Sequence, residues 1–158
     1  MNGNPAYHGS PLSPFTDAML ATLKADTTLV GMVPGGIYTS LPQSSTTHFP
    51  YVVLTRGGIF MGGVGAMGLE AGRVYIELDV WSEKNSPYEC EQILSRIRYL
   101  LQRTTLVVAG FSMIAQSLEC DEERCMPDYD PDMPSRSLFH GVQHWGALIE
   151  ETKPVGAR

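Results

Sequence analysis

The segment from Arg73 to Leu101, RVYIELDVWSEKNSPYECEQILSRIRYLL, constrains the fold more than any other part of the chain. Its first half alternates with period two. Val74, Ile76, Leu78 and Val80 fall on one face, and Arg73, Tyr75, Glu77, Asp79 and Trp81 on the other. That pattern belongs to a strand with one buried face. Its second half has helical spacing, with Cys90, Ile93, Leu94, Ile97, Leu100 and Leu101 on one stripe. Ser86-Pro87-Tyr88-Glu89 is expected to open the helix as a capping box. Ser86 accepts from the third N–H, Pro87 takes the first helical position, and Glu89 reaches back to the Ser86 N–H. Two elements with one apolar side each predict a sheet with a helix laid on it. None of these residues forms a chemical motif.

The chain has 158 residues, enough for one core that needs no metal or disulfide. A single domain is expected over residues 12–150, with a turn-rich arm at 1–11 and a frayed tail at 151–158. Ser13-Pro14 predicts the start of a first helix, with Phe15, Ala18, Met19, Thr22 and Leu23 on its inner side. Asp26 is placed to cap a short turn through Leu29 and Val30 that Gly31 ends. Pro34-Gly35-Gly36 reads as a turn, Ile37-Tyr38 as a short extended piece and residues 40–48 as a polar loop. Phe49 to Thr55 reads as a strand, with Pro50 at its start, where no ladder donor is needed. Residues 57–72 carry seven glycines and read as a long loop between neighbouring strands. Leu106 to Leu118 reads as an apolar strand region broken at Gly110. Residues 119–133 read as a solvated acidic loop, and Ser137 to Glu150 as the last strand.

The formal net charge is −6, which argues against tight nucleic-acid binding, because that requires a basic footprint. Three cysteines, Cys90, Cys120 and Cys125, are an odd count. Cys90 is expected to be a buried free thiol, and the set predicts a reduced protein without disulfides. No run approaches the roughly 20 apolar residues of a membrane span. The N-terminus lacks the basic and apolar regions of a secretory signal.

Cys120, Cys125, His140 and His144 approach a Cys2His2 zinc spacing. The histidines lie in FHGVQHWGALI, which reads as strand. Positions four apart in a strand are separated by about 13 Å, too far for one ion. Asp128, Asp130 and Asp132 echo the start of a calcium loop, but the turn glycine and the terminal glutamate are missing. The glycine run has no Gly-Lys-Ser/Thr ending and is no phosphate loop. No nucleophile elbow is present, and Glu77 and Asp79 are not expected to form an adjacent acid–base pair. No enzyme, cofactor or metal site is predicted. Ile59, Phe60, Met61 and Met67 would be an apolar liability if exposed on a monomer, so they are expected to dock on a neighbour. Tyr75, Glu77 and Asp79 are candidates for contact with a neighbouring subunit or a lumen.

The order of segments is informative. A helix ending Leu23-Lys24-Ala25-Asp26 is followed by Ile37-Tyr38, Phe49-Pro50-Tyr51-Val52 and Asp79-Val80-Trp81-Ser82, and then by the helix ECEQILSRIRYLL. This succession resembles the tail-completion, or tail-terminator, family of long-tailed bacteriophages. These are also called head–tail joining proteins, and gene-transfer agents carry relatives. The resemblance runs from Phe15 to Leu101. The glycine-rich loop, the acidic segment and the N-terminal arm depart from it.

The resemblance implies an α+β fold: a twisted antiparallel sheet with two main helices packed on one face, as the subunit of a ring. It implies a virion protein at the head–tail junction, assembled as a homo-oligomer, usually a hexamer. The ring would cap the tail tube, end its polymerisation and join the tail to the head connector. Its partners would be the tail tube protein, a connector or neck protein, and DNA in transient, non-specific passage, with no membrane. Six copies would carry roughly −36 charges, and if the acidic segment or the outer strand face pointed into the lumen, DNA would be repelled there rather than held. Asp121, Glu122, Glu123, Asp128, Asp130 and Asp132 are the candidates for an acidic lumen. The alternatives are another structural protein of the same junction, or a small α+β enzyme or ligand-binding domain.

Overall fold

The computed structural model describes residues 10–42, 48–60, 71–129 and 137–151. Three helices pack on one face of a six-stranded sheet. The elements in chain order are α1 (Leu12–Ala25), α2 (Thr27–Met32), β1 (Ile37–Tyr38), β2 (Tyr51–Phe60) and β3 (Ala71–Ser82). They continue with α3 (Tyr88–Leu101), β4 (Phe111–Met113), β5 (Glu119–Tyr129) and β6 (Ser137–Glu151). The strand order is β1-β2-β3-β6, and the far edge of β6 is shared by β4 and β5. β4 takes the end of β6 at Ile149–Glu151, and β5 takes Ser137 to Gly146.

The sheet is mixed rather than antiparallel throughout. β1 runs parallel to β2, with Ile37 opposite Val52, because the chain re-enters beside β1 in the same direction. Every other pairing is antiparallel.

The alternation read in β3 holds. Val74, Ile76, Leu78 and Val80 are buried against the helices. The register carries the same side across the sheet, through Val52 and Leu54 of β2 and Trp145, Ala147 and Ile149 of β6. Phe15, Met19 and Leu23 of α1 and Cys90, Ile93, Leu94, Ile97 and Leu101 of α3 cover them. Each such aliphatic side chain, fully buried, contributes about 1.5–3 kcal/mol before entropy is charged against it. Leu106, Val108, Met113 and Leu118 close the core beyond the end of α3. Leu106–Gly110 is not strand, and only Phe111–Met113 pairs with β6. Gly110 adopts a φ of 80°, which breaks the run.

Local starts and stops differ in detail. α1 begins at Leu12, and Ser10 Oγ accepts from the Leu12 N–H at 3.2 Å. Pro14 then falls in the first turn, where its missing N–H has no intrahelical partner to lose. Asp26 caps α2 as expected, accepting from the Leu29 N–H at 2.7 Å, but the helix runs on to Met32. The capping box of α3 does not form. Ser86 Oγ accepts from the Tyr88 N–H, only two residues on. Glu89 instead accepts from the Ser82 hydroxyl at 2.7 Å and pairs with Lys84 at 2.6 Å. The end of β3 therefore competes for the side chain that the box needed.

Two segments read as loops are strand. Residues 57–60 extend β2 and 71–72 begin β3, so the glycine-rich stretch narrows to residues 61–70, outside the described residues. Glu119 to Tyr129 of the acidic segment form β5. A run of charges does not prevent a strand whose backbone pairs with β6 along one edge while most of its charged side chains meet water.

Candidate functional site

The face of the sheet opposite the helices is polar and cross-linked. β3 supplies Arg73, Tyr75, Glu77, Asp79 and Trp81 to it, and the register sets His140, Val142 and His144 of β6 alongside. β5 adds Asp121, Glu122, Arg124, Met126 and Asp128, and β2 adds Tyr51, Val53 and Thr55.

Asp79 is the hub at the β2 side. It is 7% exposed. Thr55 donates its hydroxyl to Oδ2 at 2.7 Å, and His140 donates through Nε2 to Oδ1 at 2.6 Å. The His140 ring stacks on Trp81, with centroids 4.0 Å apart and planes 9° from parallel. Burial, and then the Asp79 charge, push the Tyr51 hydroxyl above its ordinary pKa. One step along the strands, His144 bridges two elements. Its Nε2 lies 2.9 Å from Glu77 of β3 and its Nδ1 lies 3.2 Å from Glu122 of β5. Glu122 also faces Arg124 at 3.5 Å, and Arg73 pairs with Asp121 at 2.6 Å. A shallow cleft of about 440 Å³ opens over Thr55, Asp79, Trp81, Arg124, Met126 and His140.

Glu77 and Asp79 share this face and border the same cleft, contrary to the expectation that they form no pair of neighbours. Positions two apart must share a strand face. Each is nevertheless held by its own histidine, and the Thr55 hydroxyl bonds the carboxylate rather than the imidazole. That arrangement ties the strands together.

The zinc-like spacing is separated by the sheet itself. Cys120 and Cys125 pair with Trp145 and Gly141 and face the helices, whereas His140 and His144 face the other way. Among the described residues, no group of three or more His, Cys, Asp or Glu is arranged to hold a metal. Also among them, no helix is long and apolar enough to cross a membrane.

The acidic set divides in the same manner. Asp121, Glu122 and Asp128 project on the open face. Glu123 pairs in register with Gln143 and turns to the helices, where it sits 2.9 Å from Arg98 and accepts from Gln143 Nε2. Asp130 and Asp132 lie outside the described residues.

Of the apolar candidates, Ile59 packs against the core. A bulge between Thr55 and Gly58 inserts one residue into β2, so Ile59 pairs with Val74 and points to the helices. Simple alternation from Thr55 would have pointed it outward. Phe60 pairs in register with Arg73, and Met61 and Met67 lie outside the described residues. The histidine bridges and the Trp81–His140 stack were not legible in advance. Their signal is weak: His140 and His144 share a parity, but only the β3–β6 register brings them to Glu77 and Asp79.

Helices backing one face of a mixed sheet, with the free face laced by carboxylate–histidine and carboxylate–arginine contacts, define a protein of the α+β class. The family comparison specifies it. Residues 17–150 match the model of tail completion protein gp17, and the chain belongs to that family, a virion structural component of the phage tail. The same fold occurs in a chain from the virion of a native gene transfer agent particle. That match has a TM-score of 0.66 and 15% identity, covering 85% of this chain and 92% of that one. It also occurs in the gp17 protein of bacteriophage SPP1, with a TM-score of 0.55 and 19% identity over 96% and 99% of the two chains. No curated protein sequence matches the chain.

Proposed function

We propose that this protein closes the finished tail tube as a ring, stops its polymerisation and joins it to the head connector. The family match over residues 17–150 is the observation that carries the reading. A ring needs two unlike patches on each subunit, because its contacts are heterologous. The sheet offers unlike edges: the two-residue β1 on one side and the eleven-residue β5 on the other. A charged edge such as β5 resists indiscriminate strand pairing and favours a specific partner.

Tyr75, Glu77 and Asp79, together with Phe60, Met61 and Met67, are the candidates for contact with a neighbouring subunit or the tube. Asp121, Glu122 and Asp128 are the candidates for an acidic lumen that lets the genome slide past. The ion pairs to Arg73 and Arg124 reduce the net field of that wall. Six subunits, a tube protein and a connector protein complete the proposed assembly.

The test is electron microscopy of the purified protein, alone and mixed with tail tubes, beside a phage lacking it. Rings on tube tips and overlong or headless tails are expected. Tails of normal length that fail to join heads would instead make it a connector-side protein.

A further inference from the structure

We propose that Cys90 and Cys125 close an intrachain disulfide when the protein meets a disulfide-type oxidant, tying edge strand β5 to helix α3. Gly141 is the point where α3 comes close to the sheet. A Cβ on Gly141 would lie 2.6 Å from Cys90 Sγ and 2.8 Å from Leu94 Cδ1. The Cys90 sulfur therefore fills the space directly above that glycine, and it also reaches toward the Val80 carbonyl at 3.9 Å. Cys125 is the β5 residue paired with Gly141, and it projects to the same side. Cross-strand neighbours hold their Cβ atoms about 4.5–5.5 Å apart. Cys125 thus stands on the helix side of the sheet, next to the glycine over which the Cys90 sulfur sits. A disulfide needs Cβ atoms about 3.5–4.5 Å apart, and the Cys90 sulfur occupies the place where a side chain of Cys125's cross-strand neighbour would stand.

The third cysteine stays out. Cys120 pairs with Trp145 near the other end of β5, and its thiol lies 3.2 Å from the Glu122 carbonyl. It lies five positions from Cys125, roughly 16 Å along the strand. The odd cysteine count is thereby accounted for.

Both thiols of the pair are raised above the ordinary value, chiefly by burial, so air alone closes the bond slowly. Cys125 is part-exposed and Cys90 is fully buried. With oxidised glutathione, the Cys125 thiolate attacks one glutathione sulfur and expels the other as a thiolate. The Cys90 thiolate then attacks the Cys125 sulfur and expels the second glutathione. The two protons lost by the cysteines end on the two glutathione thiols, and the dithiol has passed two electrons to the oxidant. The reducing interior of a host cell keeps the pair open during assembly, and release of the particle allows it to close.

The experiment uses the full chain and its Cys120→Ser variant, treated with oxidised glutathione. The expected product is a monomer lighter by about 2 Da, with one disulfide mapped to Cys90 and Cys125. A closed loop of roughly 35 residues should raise the midpoint of thermal unfolding by roughly 5–10 °C, and dithiothreitol should reverse the gain. Cys125→Ser, at a part-exposed position, should fold and show neither change. Unchanged mass in the Cys120→Ser variant would overturn the proposal. Linkage only between chains, or only through Cys120 in the native protein, would overturn it equally.

Discussion

The Glu123 carboxylate lies 2.9 Å from the Arg98 guanidinium, on the helix side of the sheet. It is separated by the sheet from Asp121 and Glu122, its sequence neighbours. Glu123 also holds Gln143 Nε2, and Gln143 in turn donates to the Leu94 carbonyl and accepts from Trp145 Nε1 at 3.0 Å. Glu123→Ala should therefore cost about 1–2 kcal/mol in urea unfolding, because it strips a partner from a fully buried amide. Asp128→Ala, on a half-buried residue that accepts locally from the Tyr129 N–H, should stay within about 0.5 kcal/mol. Equal losses from the two would contradict the division of the acidic segment between faces.

Gly141→Ala should destabilise the fold by about 1–3 kcal/mol, since its Cβ would overlap both Cys90 and Leu94. Adding Cys90→Ala removes one of the two obstacles. The double variant should lose less than the sum of the single losses, and the shortfall measures the contact. Strict additivity in a double-mutant cycle would place Cys90 elsewhere.

The frame was legible because its signals are local. Period two in β3, period 3.6 in α3 and the Asp26 cap each need only a few neighbouring residues. The divergences have long-range causes. The bulge after Thr55 moved Ile59 from the outer face to the core, and no residue type announces it. The acidic, proline-containing sequence of β5 reads as a loop, and only pairing along β6 makes it a strand. Glu89 left its capping box because Ser82 and Lys84 lie within reach. The open-face bridges depend on the β3–β6 register, which fixes His144 opposite Glu77 and cannot be read from either strand alone.

Asp26 gives a pH signature. Arg96 holds it with two hydrogen bonds, 3.1 Å to Oδ1 and 2.6 Å to Oδ2, and the Leu29 N–H adds a third. The Arg96 contact first, then the Leu29 N–H, lower its pKa below the ordinary carboxylate value. A carboxyl with a depressed folded pKa contributes stability above its unfolded pKa of about 3.9, and that contribution is lost as pH falls through the folded value. Asp26→Asn should therefore be less stable than the native chain at pH 7. The gap should narrow below about pH 4. A gap independent of pH in thermal melts would mean that the carboxylate charge contributes nothing.

Tyr75 and Asp79 face the same way from β3, yet they should fail differently. Asp79→Ala leaves the Thr55 hydroxyl and His140 Nε2 without their shared carboxylate in a nearly closed site. A loss of about 2–3 kcal/mol is expected, and any assembly defect would follow from poor folding. Tyr75 is half-buried and leans on Gly58, where a Cβ would lie 3.1 Å from its ring. Its truncation to alanine should cost under about 1 kcal/mol. If the open face contacts a neighbour, Tyr75→Ala should fold and melt almost normally while failing to form rings on tube tips by electron microscopy. Complete assembly by Tyr75→Ala would remove this residue from the interface and move the search to the β5 edge.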